Sequence, residues 1–210
     1  MKEIGLDDYK YLYENSPDMH VSVDPNDATI KTCNQTTVDR LGYKSKEDII
    51  GKPIFSLYHP DCLPDVEKAF KSFVETEEVK NARLDLKKVD GSKIPVMLNV
   101  KAIKDENGKI IYSNSSWRDI SDIVLLERKY QELVSTLPIT IWVADKDGKI
   151  TYFNHQWKEM TGYEPEEVYG YSWITMIHKD DRERVVNDFN NSIISKKYIQ
   201  NEFRLVHKNG

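Results

Sequence analysis

The feature that most constrains the fold of this chain is an internal repetition at a spacing of about 120 residues. Short matches occur in the same order in both halves of the sequence. The matching pairs are Asn34 with Asn154, residues 41–43 with 161–163, Gly51 with Gly170, His59 with His178, and residues 88–91 with 207–210. Because each copy is far longer than a solenoid repeat, the sequence predicts two related domains.

The composition supports folded domains and argues against several classes of function. Hydrophobic residues make up 39% of the 210 residues and charged residues 31%, which is apolar enough for a core. The 30 Lys and Arg and the 35 Asp and Glu are interspersed, so no basic face for nucleic acid is expected. Two cysteines make no disulfide framework, and no run approaches the ~20 apolar residues of a membrane span. We therefore predict a cytoplasmic protein without membrane insertion in this chain.

Local patterns predict the same order of elements in both copies. Residues 20–23 alternate polar and apolar side chains, as a half-buried strand does, and a turn leads to a second strand over 28–33. Residues 141–144 and 150–153 repeat this hairpin. Short helices follow, and then a longer helix with one apolar stripe. The stripe residues are Val66, Phe70, Phe73 and Val74, matched by Val185, Phe189 and Ile193 in the second copy.

Three antiparallel strands complete the first copy, over residues 79–88, 93–103 and 110–118. Asp90-Gly91 and Asn107-Gly108 lie between them, and such dipeptides are strong hairpin signals. The predicted fold class is therefore α+β, with one sheet covered on one face by short helices.

Taken together, these motifs resemble the PAS family of sensory domains over nearly the whole chain. The residues that carry the resemblance are 16–18, Asn34, 42–43, 47–53, 59–61, 88–92 and 117–121, and in the second copy 137–138, 145–148, Asn154, 161–163, 166–170, 178–181 and 203–210. The resemblance implies two five-stranded antiparallel sheets in the order 2-1-5-4-3, each with a small cavity between sheet and helices. It divides the chain into a lead-in (1–8), a first PAS domain (9–121), a linker helix (122–137) and a second PAS domain (138–210).

The second copy ends at Gly210, which aligns with Gly91, so it is expected to be C-terminally truncated and to lack its last two strands. The segment 203–206 would then have no neighbour with which to pair its backbone. We accordingly expect residues 1–121 to be stable alone, and the second domain to be frayed or swapped.

The Trp-Arg-Asp-Ile-Ser motif at residues 117–121 ends the last strand and opens the next helix. Asp119 or Ser121 can cap that helix. The resemblance also implies that Trp117, Asp119 and Ser121 relay signals from the sheet to the exit helix, although a simple helix cap is the alternative interpretation.

The linker carries apolar residues at alternating spacings of three and four, the pattern of a coiled-coil seam. These residues are Ile123, Leu126, Tyr130, Leu133 and Leu137. Two heptads are short for a coiled coil, and a helix packed on its own domain is the alternative. Since PAS proteins often dimerise through such helices, we favour a homodimer formed through the linker helix and the PAS faces.

No catalytic or metal-binding motif is evident, and the cofactor is unknown. In light-sensing PAS domains a reactive cysteine lies three residues after the glycine that matches Gly51; here Ile54 and Trp173 hold that position, which argues against a flavin–thiol adduct. His59 and His178 precede helix starts, and we interpret them as structural residues, not haem ligands.

The sequence leaves two interpretations of the interior open, a small-molecule pocket or an ordinary filled core. The candidate pocket residues of the first copy are Val21, Val23, Ile30, Leu41, Ile54, Phe55, Leu57, Leu84, Leu86 and Leu98. Those of the second copy are Trp142, Phe153, Trp157 and Trp173, which indicate either a filled interior or a flat aromatic ligand.

The sequence therefore favours the sensory input of a two-component sensor histidine kinase, whose catalytic part is absent from these residues. Two alternatives remain at this stage. One is a stand-alone PAS interaction protein that regulates a partner in trans, and the other is the input domain of a cyclic-dinucleotide enzyme.

Overall fold

A computed structural model describes residues 5–209 and divides the chain into two units, one ending at Leu126 and the other beginning at Glu127. Residues 1–4 of the expected lead-in, and Gly210, lie outside the described residues.

The first unit contains a single five-stranded antiparallel sheet in the order β2-β1-β5-β4-β3, which confirms the expected order. Its strands are β1 (Met19–Val23), β2 (Ile30–Cys33), β3 (Glu78–Lys87), β4 (Lys93–Lys104) and β5 (Ile110–Asp119). Its helices are α1 (Leu6–Glu14), α2 (Gln35–Leu41) and α3 (Leu63–Thr76), with short 3₁₀ turns at Lys46–Asp48, Ile54–Leu57 and Pro60–Cys62.

The sheet follows from the period-2 patterns and from the glycine turns. In β1 the side chains of Met19, Val21 and Val23 are buried, and those between them are half-buried. Gly91 and Gly108 have φ angles of 83° and 81°, which only glycine adopts without strain, and they let the chain reverse on either side of β4.

Helix α1 is an element that the sequence analysis did not predict. None of its residues is buried, so it leaves no helical burial pattern to read. It is held at its C-terminal end, where the Lys46 ammonium lies 2.5 Å from the Glu14 carboxylate and the Asn34 side chain donates to the Tyr13 carbonyl at 3.1 Å.

Helix α4 (Ser121–Thr136) leads into the second unit, whose strands are β6 (Trp142–Ala144) and β7 (Ile150–Phe153). Its further helices are α5 (His155–Thr161), α6 (Pro165–Val168) and α7 (Lys179–Ser195), with a 3₁₀ turn at Ser172–Met176. Within the described residues the sheet of the second unit has two strands. The buried hydrophobic core of this unit consists of Ile150, Phe153, Trp157, Val168 and Met176.

The segment expected to lack a backbone partner has one, so that prediction is wrong. Leu205 forms an antiparallel bridge with Ile177, and the Val206 amide donates to the Met176 carbonyl at 2.7 Å. The first unit uses the same arrangement, where Leu86 bridges Tyr58. Pairing to the segment before the long helix replaces the strand pairing on which the prediction was based.

The matching residues Asn34 and Asn154 make equivalent hydrogen bonds in their units. The Asn34 side chain donates to the carbonyls of Tyr13 and Asp18 and accepts from the His20 amide. The Asn154 side chain donates to the carbonyls of Val134 and Ile139 and accepts from the Ile141 amide. Each buried amide therefore ties the end of the preceding helix to the first hairpin.

Candidate functional site

An open cleft of about 470 Å³ lies between α3 and the inner face of the sheet in the first unit. The sheet contributes Val23, Val79, Leu84, Leu98, Val100, Ser113 and Ser115, and the helical side contributes Ile54, Phe55, Tyr58, Val66, Ala69, Phe70, Phe73 and Val74. Ligand pockets are commonly of this size and mainly apolar. The cleft is the candidate site.

The apolar stripe of α3 explains why this space stays open. Val66 and Ala69 are buried against the core, whereas Phe70 is 49% exposed and Val74 is 65% exposed. All four of these residues line the cleft, and the two nearer the C-terminal end of the helix are the more exposed.

The structure divides the candidate pocket residues of the first copy into two sets. Val23, Ile54, Phe55, Leu84 and Leu98 line the cleft. Val21, Ile30, Leu41, Leu57 and Leu86 belong to the core cluster and have no exposed surface, so they are not part of the cleft lining. Whether the first set contacts a ligand stays a prediction.

Sequence reasoning missed the polar part of the lining. Ser113 and Ser115 are buried, and they share the inner face of β5 with Trp117. Residues 113–116 are Ser, Asn, Ser and Ser, so the residue types of β5 do not indicate which of them face the core. Tyr58, also missed, is buried beside them, and this burial raises the pKa of its phenol, which therefore stays protonated at neutral pH.

Tyr58 connects the cleft to the predicted relay residues. The Trp117 indole donates a hydrogen bond to the Tyr58 hydroxyl at 3.3 Å, and the two rings meet edge to face with centroids 6.0 Å apart. Trp117 has no exposed surface. Because the two side chains are in direct contact, a displacement of Tyr58 would change the hydrogen bond and the ring contact of Trp117.

Asp119 lies two residues after Trp117 and holds the start of α4. Its carboxylate accepts a hydrogen bond from the Ser121 amide at 2.8 Å, which makes Asp119 and not the Ser121 hydroxyl the capping group. The other carboxylate oxygen lies 3.2 Å from the Arg40 guanidinium. The relay role of these residues stays a prediction.

The predicted seam of the linker is solvent-exposed within the described chain. Its residues, with their exposed fractions, are Ile123 (53%), Leu126 (69%), Tyr130 (65%), Leu133 (66%) and Leu137 (41%). Leu137 lies just beyond the last residue of α4. Val134, which lies on α4 outside the seam, is buried, so the choice between a dimer seam and a helix packed on its own domain stays a prediction.

The candidate residues of the second unit form two aromatic groups. Trp142 stacks on Trp173 with ring centroids 6.4 Å apart, and both rings contact Phe189. Phe153 and Trp157 pack together at 4.2 Å in the core. The side chains of the four candidate residues thus pack in pairs against one another and against neighbouring aromatic rings.

The histidines weighed as haem ligands have structural contacts. The Nδ1 atoms of His59 and His178 accept hydrogen bonds from the amides of Asp61 and Asp180 at the starts of their helices. Neither histidine lines the cleft. In the part of the chain that the structure describes, no cluster of His, Cys, Asp and Glu is suited to a metal ion, and no helix is both long and apolar enough to cross a membrane.

Comparison with known proteins identifies the family. A "PAS domain" family model matches residues 17–122, about half of the chain, and a "PAS fold" model matches residues 150–210. An uncharacterized protein of Sinorhizobium fredii (strain NBRC 101917 / NGR234), y4lL, is 23% identical over 99% of this chain and 26% of its own length. The chain therefore spans about a quarter of that curated relative.

Solved structures agree on the fold. The PAS domain of a Colwellia psychrerythraea protein matches with a TM-score of 0.50 at 23% identity, covering 56% of this chain and 98% of that domain. An RNA-binding light-oxygen-voltage receptor matches with a TM-score of 0.53 at 14% identity, covering 60% of this chain and 36% of the receptor. The sheet order and these structures agree on the fold, and the family model that matches residues 17–122 shows that the chain belongs to the PAS domain family.

Proposed function

We propose that this chain is the sensory input of a longer signalling protein, in which occupancy of the cleft alters the start of α4. PAS domains generally sense signals, and the chain has a cleft that a small molecule can enter. The observation that carries the proposal is the position of Tyr58, which lines the cleft and holds the indole of Trp117.

The proposed path has three steps. A ligand in the cleft shifts Tyr58, and this shift changes its hydrogen bond to Trp117. Trp117 and Asp119 lie on the same strand, so the change reaches the carboxylate that caps α4. The helix then transmits the change to the residues that follow.

We further propose two PAS domains in tandem, a first over 9–121 and a second over 138–210, joined by the linker 122–137. Two family models matching successive segments support this arrangement. The proposed output is a cytoplasmic histidine kinase, and the support for it is the resemblance of the motif at residues 117–121 to the exit motif of PAS sensors. The exposed seam of α4 supports a homodimer.

Hydrogen exchange tests the relay in the chain itself. Tyr58→Phe and Trp117→Phe are expected to lower the protection of amides 121–126, because each removes the bond between Tyr58 and Trp117. Tyr112→Phe is the matched control, since Tyr112 is exposed near the start of β5. Equal protection in all three variants would contradict the relay.

A second measurement tests the output. In the longer protein that carries this chain, Asp119→Ala is expected to change the rate at which phosphate from ATP is incorporated. An unchanged rate, or no incorporation in the wild-type protein, would rule out the kinase assignment.

A further inference from the structure

The rim of the cleft exposes apolar surface that a bound molecule would cover. Phe55 and Phe70 are 37% and 49% exposed and meet edge to face with ring centroids 5.5 Å apart. Val74 lies one helical turn farther along α3 and is 65% exposed. Burial of such surface favours a ligand whose body is apolar.

Three residues that carry hydroxyl groups, Tyr58, Ser113 and Ser115, also line the cleft. Ser113 and Ser115 are 7% and 5% exposed, and within the described chain their hydroxyls have no hydrogen-bond partner. The Tyr58 hydroxyl accepts from Trp117, so its own proton remains free to donate. Because all three residues line the same cleft, a ligand there can supply the acceptor that their hydroxyls lack. They favour a ligand with an oxygen that accepts hydrogen bonds.

The residues that line the cleft do not favour an anionic ligand. The lining residues include the acidic Asp24, Asp27 and Glu77, and none of the lining residues is Lys, Arg or His. A hydrogen bond from the Asn26 amide lowers the pKa of Asp24, and one from the Thr29 hydroxyl lowers the pKa of Asp27. Both carboxyls are therefore ionised at neutral pH, but Lys31 pairs with Asp24 at 3.1 Å and Lys104 pairs with Glu77 at 2.5 Å, so their repulsion of an anion is weak. The larger cost for a carboxylate or phosphate is the loss of its hydration in a mainly apolar cleft.

We propose that the cleft binds an uncharged, mainly apolar molecule with a carbonyl or hydroxyl oxygen, which is held by Ser113, Ser115 and Tyr58. This inference rests on the proposed function, because it names the ligand class of the same cleft. It also places the polar end of the ligand beside the bond between Tyr58 and Trp117.

Displacement of a fluorescent probe from the full chain tests the ligand class. The probe is N-phenyl-1-naphthylamine, which is uncharged and apolar, and the competitors are 2-undecanone and undecanoate below their aggregation limits. We expect 2-undecanone to displace the probe at a concentration about tenfold lower than undecanoate, since the carboxylate would lose its hydration in the apolar cleft. Displacement by undecanoate at equal or lower concentration, or no binding of the probe, would overturn the proposal.

Serine variants test the hydroxyl contacts. The double variant Ser113→Ala, Ser115→Ala is expected to weaken binding of 2-undecanone by roughly tenfold, while the probe itself binds as before. Ser116→Ala is the matched control, because Ser116 lies on the same strand but outside the cleft lining. Unchanged affinity in the double variant would show that the serines do not hold the ligand.

Hydrogen exchange with and without 2-undecanone separates failure of this inference from failure of the proposed function. Binding with the expected preference but unchanged protection of residues 121–126 would support the ligand class and contradict the relay. Lowered protection in Tyr58→Phe without binding of any uncharged compound would support the relay and contradict the ligand class.

Discussion

The carboxylate of Asp119 lies 3.2 Å from the guanidinium of Arg40, although 79 residues separate the two in sequence. Arg40 belongs to the last turn of α2, where a cation also interacts favourably with the helix dipole. Since the same carboxylate accepts from the Ser121 amide, one side chain joins the end of α2 to the start of α4.

Removing this carboxylate should loosen the start of α4. Asp119→Ala loses both contacts and is expected to cost about 1 kcal/mol of folding free energy, the usual cost of a lost helix cap. Asp119→Asn keeps an oxygen for the Ser121 amide and should cost less. Urea unfolding gives the free energies, and hydrogen exchange locates the change at residues 121–124. Asp122→Asn, an exposed change in the same turn, is the control, and equal exchange in it and in Asp119→Ala would contradict the assignment.

Tyr58→Phe should destabilise the first unit because it removes the hydroxyl that accepts the hydrogen bond of the Trp117 indole. The Trp117 indole would keep its buried N–H without a partner, which costs roughly 1–3 kcal/mol. Urea unfolding, followed at the amides of β5, measures this loss. Tyr112→Phe removes an exposed hydroxyl and should leave stability unchanged; a similar loss in both variants would show that the contact with Trp117 is not the cause.

The resemblance to the PAS family predicted the strand order and a cavity, whereas local patterns predicted strands and turns but not which residues line the cleft. The alternation of polar and apolar residues in β1 and the glycine turns such as Gly91 are local patterns, and each has its expected counterpart in the structure. The stripe of α3 also predicted a helix, but periodicity does not say how far a helix stands from the sheet. Leu57 and Leu86 therefore looked equivalent to Phe55 and Leu84, although the first pair fills the core and the second pair lines the cleft.

The two largest misses share a physical reason. Helix α1 is held through Tyr13 and Glu14 by residues farther along the chain, and its own side chains bury no core surface. Leu205 is paired with Ile177 through backbone groups. Single contacts between distant segments, whether made by backbone groups or by one side chain, leave no periodic pattern of residue types, so neither feature could be read from composition or periodicity.

The paired asparagines offer a comparison between the two units. Asn34→Ala and Asn154→Ala each remove a buried amide that satisfies two carbonyls and at least one backbone amide, so each is expected to cost roughly 2–3 kcal/mol. Each loss should be largest in the unit that contains the substitution, as measured by urea unfolding with amide exchange as the probe. The exposed residues Asn114 and Asn191 provide controls. A loss of equal size in the control variants would contradict the role assigned to the two asparagines.

The end of the second unit should depend on one ion pair. Asp181 accepts from the Arg204 amide at 2.9 Å and from two nitrogens of its guanidinium, and these bonds lower the pKa of the Asp181 carboxyl. Because the folded pKa lies below the unfolded value of about 3.9, the contribution to stability is present at neutral pH and is lost as pH falls below that value. Protection factors of the Arg204 and Val206 amides should therefore stay constant from neutral to mildly acidic pH and then fall.

The variant Asp181→Asn should lower the same protection factors at every pH and remove their acid dependence. Asp180→Asn is the matched control, since the Asp180 carboxylate is more exposed and lies 3.6 Å from the Arg204 guanidinium. If Asp180→Asn lowers protection as much as Asp181→Asn, the bidentate pair is not what holds this segment.

Charge placed on the seam of α4 should break the proposed homodimer. Leu126→Glu and Leu133→Glu each put a carboxylate at a position that would face its copy in a parallel pair, where burial without a partner is strongly unfavourable. Sedimentation equilibrium should show a dimer for the unsubstituted chain and a monomer for both variants at the same concentration. Leu125→Glu makes the same chemical change at an exposed leucine outside the seam and should remain dimeric. A monomeric parent chain, or dissociation in all three variants alike, would rule out the seam as the contact surface.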